Sequence, residues 1–199
     1  MKKISIITPT FNEEENVALL IDAISKVAEK EKKYTFEHII IDNASTDNTV
    51  DKVKDLISQY PHVGLIVNNR NFGQLRSPFH ALTLVESDAT IQLCSDLQEP
   101  PELIHDFLRK WENGALVVAG VKESSEENRF LFFLRGIYYK LLSTITEHDL
   151  ISQFTGFGLF DRTVIEEFRK INDLYPYSRG LISDLGFKVE VVKYRQKER

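Results

Sequence analysis

Two spacings of hydrophobic residues alternate along the chain. Short apolar runs rich in β-branched residues predict buried strands, and apolar positions three to four residues apart predict helices with one buried face. Strands are predicted at residues 4–8, 36–41, 63–67, 89–94 and 115–121, with helices in the segments between them. Strands that alternate with helices in this way pair in parallel through crossover connections. We therefore expect an α/β fold with a Rossmann-like, mostly parallel sheet flanked by helices.

Polar residues and prolines mark where the predicted helices begin. Asn12 is followed three residues later by Glu15, as in a capping box at the start of the first helix. Ser45 or Thr46 is the expected cap of the second helix. Pro100 and the proline after it suit the first turn of the helix that follows the fourth strand. Each of these starts lies directly after a predicted strand.

The candidate chemistry lies at the carboxyl ends of the predicted strands. In open α/β sheets, ligands bind in the crevice beyond these ends. The segments expected there are residues 8–12, residues 42–45, Arg70 with its neighbours, and residues 95–99. One polar residue at a strand end is more often a turn or a cap than a ligand. The succession of such residues at neighbouring strands therefore carries the prediction.

The chain changes character after residue 121. Residues 122–129 are polar and predict a loop, whereas residues 130–145 have a broad apolar face interrupted by Arg135 and Lys140. Two interpretations of this face stay open: a helix buried on two sides, or a helix lying on a membrane surface or on a second copy of the chain in a homo-oligomer. Residues 188–199 predict a strand followed by basic residues.

Composition excludes several classes of protein. The 199 residues suffice for one domain, and 42% hydrophobic with 28% charged residues argues against disorder. A net charge of −5 does not favour nucleic-acid binding, and Cys94 is the one cysteine, so no disulfide framework or cysteine-based zinc site is expected. The short apolar stretch after the first lysines does not predict a secretory signal, and no apolar run reaches the about 18 residues of a membrane span. We expect a cytoplasmic protein.

A nucleotide-diphosphate ligand would match the polar residues at the strand ends. Asp42 is placed to hydrogen-bond a base, and Arg70 is placed near base or phosphate. Asp96 and Gln98 offer the hard oxygen ligands that suit Mg²⁺ or Mn²⁺. Such an ion neutralises a diphosphate and helps it to leave.

Four segments of the chain together resemble a family-2 glycosyltransferase. These are ITPTFNEEEN, HIIIDNASTDNT, NNRNFG and SDLQEPPE, and TGFGLFDR and SRGLISDLGF resemble later motifs of the same branch. That branch contains dolichol-phosphate mannose synthase and the bacterial polyprenyl-phosphate glycosyltransferases. The resemblance implies a GT-A fold, a UDP- or GDP-sugar donor, a divalent cation and, in many members, inversion at the anomeric carbon.

The resemblance also implies roles for individual residues. It places the metal and diphosphate at Asp96 and Gln98, with Asp96 as the catalytic residue, and the acceptor and diphosphate side at Arg179 and Gly180. It places the nucleotide around six residues: Pro9, Thr10, Asn12, Glu13, Asp42 and Arg70. It further implies one catalytic domain over residues 1–199, with a nucleotide-sugar-binding half to about residue 121, an acceptor half after it, and a continuation toward a membrane segment.

Three departures from the family pattern bear on activity. The first aspartate of the family's metal motif is Cys94, a poor ligand for Mg²⁺. The family's Asp-Gly-Ser after the second strand is Asn43-Ala44-Ser45. The family's Gly-Asp-Phe-Arg-Leu is residues 155–159, with Gly156 in place of the acid and Gly158 in place of the base. Asp161 is the nearest remaining acid, and helix capping is its expected role.

The missing acid at position 156 favours one kind of acceptor. A hydroxyl acceptor needs a general base, whereas a phosphate monoester, with a second pKa of about 6, is already an anion. We therefore favour a polyprenyl phosphate over a saccharide acceptor, at the inner face of the membrane, in cell-envelope or polysaccharide synthesis. The alternative is a non-catalytic or regulatory domain that binds nucleotide-sugar without turnover. A nucleotidyltransferase is disfavoured, because residues 8–12 lack a glycine-rich basic loop.

Overall fold

The computed structural model describes residues 1–123 and 154–196. It contains seven strands: β1 (Lys2–Thr10), β2 (Tyr34–Asp42), β3 (Val63–Val67), β4 (Ala89–Gln92), β5 (Val117–Lys122), β6 (Phe154–Asp161) and β7 (Val189–Tyr194). The helices are α1 (Val17–Lys30), α2 (Thr49–Ile57), α3 (Gly73–Leu84), α4 (Ile104–Glu112), α5 (Arg162–Lys170) and α6 (Ser178–Asp184). A short 3₁₀ turn, Pro101–Leu103, precedes α4.

The seven strands form one mostly parallel sheet in the order β3-β2-β1-β4-β6-β5-β7. Strand β6 is antiparallel to both of its neighbours, β4 and β5, and the other four pairs are parallel. The predicted α/β class and mostly parallel sheet are therefore confirmed. Strand β6 was not predicted, and it separates two strands that the alternation of elements would have placed side by side.

Helices cover both faces of the sheet, so its central strands are apolar on both sides. Helices α1 and α4 pack on one face, where Ile4 and Ile6 of β1 meet Leu20 of α1 and Phe107 of α4. Helices α3, α5 and α6 pack on the other, around Phe79, Phe168 and Ile182. Helix α2 joins α1 over the β2–β3 edge through Val17 and Val53.

Two predicted helix starts are wrong. Helix α1 begins at Val17 after Asn16, and helix α2 begins at Thr49 after Asn48. Neither Asn12 nor Ser45 caps a helix, because both side chains join the two loops to each other. The expected capping role of Asp161 is confirmed: its carboxylate accepts a hydrogen bond from Thr163 N at 2.8 Å at the start of α5.

The sequence predictions for residues 124–153 lie outside the described residues. These predictions are the remainder of the loop after Lys122 and the apolar segment 130–145. Lys122 itself is the last residue of β5 rather than part of a loop. In the described part of the chain, no helix is both long enough and apolar enough to cross a membrane.

A buried histidine makes the stability of the fold depend on pH. His38 of β2 is fully buried, its Nε2 lies 2.9 Å from Thr8 Oγ1, and its Nδ1 has no hydrogen-bond partner. Burial, with a smaller effect of His62, lowers the pKa of His38 to about 3. An unfolded histidine titrates near pH 6.5, so the unfolded chain binds the additional proton as the pH falls below 6.5.

We expect acid to destabilise the protein through His38. Between pH 7 and pH 5 this residue alone should lower the free energy of unfolding by about 2 kcal/mol. Urea denaturation of the wild type and of His38→Gln across this range checks the effect, because glutamine does not titrate. From pH 7 to pH 5, the free energy of unfolding should fall by about 2 kcal/mol more in the wild type than in the variant, whatever the absolute stability of the variant. A constant difference would show that His38 is not held neutral.

Candidate active site

The carboxyl ends of β1, β2 and β4 meet at one edge of the sheet. Strand β1 lies between the other two, and Thr10 at its end is in register with Asp42 at the end of β2. Asn43 N donates to Thr10 O at 2.9 Å, and Ser95 Oγ donates to Pro9 O at 3.1 Å. The loops predicted to hold nucleotide and metal therefore contact each other directly.

Asp42 is fixed within the turn that follows β2. Its side chain is fully buried, and it accepts hydrogen bonds from both the backbone N and the hydroxyl of Ser45. Its carbonyl accepts from Asn68 N of the loop after β3, at 2.9 Å. Between Asp42 and Ser45, Ala44 has a φ of 63°, a left-handed conformation that glycine adopts without strain. The turn thus keeps the shape that a glycine would give it.

Asn12 and Glu13 connect the loop after β1 to the loop after β2. Asn12 also has a positive φ, 53°, and its Oδ1 accepts from Thr46 N at 2.8 Å. Its own N–H donates to Ser45 Oγ at 2.9 Å, and Glu13 N donates to Thr49 Oγ1 at 2.9 Å. These bonds between the loops after β1 and β2 give Asn12 and Glu13 a defined position beside Asp42.

Arg70 lies on the exposed loop between β3 and α3. Its guanidinium carbon is 4.3 Å from the centroid of the Phe72 ring, a cation–π contact. The same loop is joined to the end of β2 through the hydrogen bond of Asn68 to Asp42. The structure therefore brings Arg70 to the Asp42 side of the site, at the end of the neighbouring strand.

Asp96 and Gln98 lie in the loop that leaves β4. Asp96 Oδ1 accepts from Gln98 N at 3.1 Å, and Leu97 between them has a φ of 58°. The side-chain amide of Gln98 contacts that of Gln196, so the segment after β7 lies against this loop. Both Asp96 and Gln98 are half-exposed.

The donor set of this loop suits an ion shared with a diphosphate. Among the described residues, no three His, Cys, Asp or Glu side chains are arranged to hold a metal ion. Mg²⁺ is commonly held by one or two carboxylates together with substrate phosphates and water. One carboxylate and one amide oxygen, from Asp96 and Gln98, fit that mode and do not form an all-protein cage.

Cys94 and Glu99 form the buried side of the same loop. Glu99 is only 4% exposed, and its carboxylate accepts from Cys94 N at 2.8 Å and from Thr155 Oγ1 of β6 at 2.9 Å. Burial raises the pKa of Glu99 to about 7 and, with the nearby Glu99, raises the pKa of the Cys94 thiol well above its usual value. The Cys94 side chain is half-buried, and a raised pKa disfavours the thiolate, which is the form that binds metal ions.

The sequence analysis placed Glu99 in the candidate segment 95–99 but gave it no role. Its position in SDLQEPPE could have drawn attention to it, but the motif does not show that the side chain turns inward. The Glu99 carboxylate joins the start of the loop after β4, residues 93–100, here named the metal loop for its predicted role, to the start of β6. The structure thus connects Asp96 and Gln98 with the acceptor-side motif at residues 155–159.

Removing the Glu99 side chain should destabilise the protein more than neutralising it. Glu99→Ala leaves the Cys94 N–H and the Thr155 hydroxyl without their partner, at a cost of about 1–3 kcal/mol. Glu99→Gln can accept from Cys94 N and donate to Thr155 Oγ1, so we expect a change below about 1 kcal/mol. Urea denaturation of both variants at pH 7 measures the contrast. Equal losses would contradict the hydrogen-bonding role.

The predicted acceptor-side residues lie around the start of β6. Arg179 of α6 donates to Phe154 O at 2.7 Å, and its guanidinium carbon is 4.8 Å from the Tyr177 ring centroid. A Cβ on Gly180 would come within 2.9 Å of that ring, so residue 180 is close-packed. Gly156 has a φ of 106° and lies against Gln92, where any side chain would be strained. No carboxylate occupies this position.

The fold and this arrangement of strand ends define a GT-A glycosyltransferase domain. The family description "Glycosyl transferase family 2" matches residues 5–169. The chain belongs to this family of enzymes, which confirms the resemblance seen in the sequence. The roles of individual residues stay predictions.

Curated relatives resemble the chain along nearly its whole length. The uncharacterized glycosyltransferase YkcC of Bacillus subtilis (strain 168) is 30% identical over 196 residues, which are 98% of this chain and 60% of that protein. A prophage bactoprenol glucosyl transferase homolog of Escherichia coli (strain K12) is 30% identical over 198 residues, 99% of this chain and 64% of that protein. The chain thus spans about 60% of the length of these relatives.

Solved structures share the fold at lower identity. A mannosyltransferase from Pyrobaculum calidifontis, in complex with GDP-Man and Mn²⁺, has a TM-score of 0.66 and 19% identity over all of this chain and 58% of that chain. Mannosyl-3-phosphoglycerate synthase from Rubrobacter xylanophilus has a TM-score of 0.73 and 17% identity, over all of this chain and 67% of that one. These likenesses show the GT-A fold.

Proposed function

We propose that the protein transfers a sugar from a UDP- or GDP-sugar to an acceptor, with inversion at the anomeric carbon. The contacts among the ends of β1, β2 and β4 support this proposal most strongly. They place the loops of Asp42 and Asp96 on either side of the loop after β1. A nucleotide on the β2 side could therefore extend its diphosphate toward the β4 side across one continuous edge.

The residues divide into two groups along this edge. Asp96 and Gln98 would hold Mg²⁺ or Mn²⁺ together with the diphosphate. When bound, the ion neutralises the charge that develops on the departing diphosphate. The nucleotide is held by the loops around six residues: Pro9, Thr10, Asn12, Glu13, Asp42 and Arg70. The mannosyltransferase neighbour in complex with GDP-Man and Mn²⁺ supports this combination of ligands.

A polyprenyl phosphate is the proposed acceptor. Gly156 supplies no general base, and its backbone conformation disfavours any replacement side chain. A phosphate monoester needs no base, since it is already an anion near neutral pH. Arg179, held at the start of β6, lies on the side where we place this acceptor. The bactoprenol glucosyl transferases among the relatives support a lipid-phosphate acceptor over a saccharide.

The proposal assigns the two halves of the chain different tasks within one domain. Residues up to about 121 hold the nucleotide-sugar, and the later residues form the acceptor side. A polyprenyl phosphate resides in a membrane, so we place the protein at the inner membrane face, where nucleotide-sugars are made. The reaction would serve cell-envelope or polysaccharide synthesis.

Calorimetric titration tests the donor half of the proposal. UDP and GDP are titrated into the protein, each with Mn²⁺ and each with EDTA. We expect one nucleotide to bind, and to bind more tightly with Mn²⁺. Absence of binding by both would overturn the proposal. Binding without any turnover of the matching nucleotide-sugars would support the non-catalytic alternative, which Cys94 and Gly156 favour because both stand where the family has a carboxylate.

A second assay tests the acceptor. Radiolabelled nucleotide-sugar is incubated with a polyprenyl phosphate or with the matching polyprenol in detergent. We expect label in the lipid phase with the phosphate only. Label on the polyprenol as well would mean that the protein can activate a hydroxyl, which contradicts the role proposed for Gly156.

A further inference from the structure

The side chain of Asn43 joins the end of β2 to the loop that carries Arg70. Asn43 is 7% exposed and makes four hydrogen bonds with its side-chain amide. Its Nδ2 donates to Asn71 Oδ1 at 2.9 Å and to Gly73 O at 3.3 Å. Its Oδ1 accepts from Phe72 N at 2.9 Å and from Asn68 Nδ2 at 3.3 Å.

Backbone groups determine which way this amide points. Phe72 N–H can only donate, so the atom of Asn43 facing it must be the oxygen. Gly73 N–H donates to Asn71 Oδ1 at 2.8 Å, so Asn71 presents an oxygen to Asn43 as well. Position 43 therefore needs both a donor and an acceptor. An aspartate would place a carboxylate oxygen against two acceptor oxygens.

Phe72 contacts both Asn43 and Arg70. Phe72 N–H is held by Asn43, and the Phe72 ring lies 4.3 Å from the guanidinium carbon of Arg70. Arg76 of α3 also lies over this ring, at 5.5 Å. The exposed Arg70 side chain is thus linked, through the Phe72 residue, to the buried amide of Asn43 at the end of β2.

We propose that Asn43 is a positioning residue that sets the Arg70 guanidinium at the nucleotide through Phe72. This inference rests on the proposed function, and it assigns Asn43 to nucleotide affinity rather than to metal binding. The amide of Asn43, in place of the family's acid, is then a requirement of this loop.

The first test is a double-mutant cycle on nucleotide binding. Asn43→Asp is nearly isosteric. It should lower the affinity for the nucleotide that the wild type binds by about tenfold, which corresponds to the loss of one hydrogen bond to a charged group. In an Arg70→Ala background the same change should have less than about a twofold effect, because the residue it positions is gone. The ratio of the affinities with Mn²⁺ and with EDTA should equal that of the wild type.

A second variant keeps the inference testable if Asn43→Asp does not fold. Phe72→Leu changes a half-exposed side chain and removes the ring over which both Arg70 and, at a longer distance, Arg76 lie. It should weaken nucleotide binding in the wild type and have no effect in Arg70→Ala. Equal effects in both backgrounds, or a changed Mn²⁺ ratio, would overturn the inference alone. Absence of nucleotide binding by the wild type would instead overturn the proposed function and the inference together.

Discussion

Asp96→Ala should abolish the contribution of Mn²⁺ to nucleotide binding. Asp96 is the carboxylate of the β4 loop that is half-exposed, whereas Glu99 is buried and bonded to Cys94 N and Thr155. We expect the dissociation constant of the variant in Mn²⁺ to equal its value in EDTA. Turnover should fall about 100-fold or more, since metal stabilisation of a leaving diphosphate amounts to several kcal/mol.

Asp51→Ala is the matched control for this experiment. Asp51 lies exposed on α2. Among the ion pairs of the described residues it takes part in one, with Lys54 of the same helix at 3.0 Å. Its removal changes the net charge equally and should leave both binding and turnover at wild-type values. Unchanged Mn²⁺ dependence in Asp96→Ala would remove Asp96 from the metal site and leave the diphosphate without a carboxylate partner on this loop.

The sequence predicted six of the seven described strands, with β6 as the exception. Strands β1 to β5 and the helices between them have continuous apolar runs or one-sided apolar faces, and these report burial directly. The candidate site could be predicted too, because parallel strands place their carboxyl ends at one edge. Asp42 and Asp96 were therefore expected on the same side before any contact was known.

Strand β6 escaped prediction for a physical reason. Its glycines, Gly156 and Gly158, interrupt the apolar pattern, and it inserts between β4 and β5 through pairings distant in sequence. Local patterns contain no information on such pairing. The strand nevertheless contributes to the candidate site, because Thr155 near its start donates a hydrogen bond to Glu99.

The capping predictions failed for a related reason. Asn12 and Ser45 have the side chains of good caps, but Asn12 bonds to Thr46 in the loop after β2, and Ser45 bonds to Asn12 and to Asp42. The side-chain amide of Asn43 likewise makes its hydrogen bonds to another loop, the one that follows β3. A sequence shows which hydrogen bonds a residue can make locally, and the site is built from bonds between loops.

Gly158→Ala should be among the most destabilising single substitutions in the sheet. A Cβ at this position would lie 2.4 Å from the carbonyl oxygen of Val118 and 3.4 Å from Ala119 Cα. Both are backbone atoms of β5, so the whole strand must move to admit one methyl group. Overpacking of a core costs about 1–3 kcal/mol when side chains can adjust, and we expect a loss of at least about 3 kcal/mol here.

Gly64→Ala provides the matched control, since Gly64 is also a strand glycine. Its Cβ would meet only Ile39 Cδ1, at 2.9 Å, and the tip of a side chain can move. Urea denaturation should therefore show a change below about 1 kcal/mol for Gly64→Ala. If Gly158→Ala lowered the free energy of unfolding by no more than Gly64→Ala does, β5 would be free to shift and the proposed close packing of Gly158 against it would be wrong.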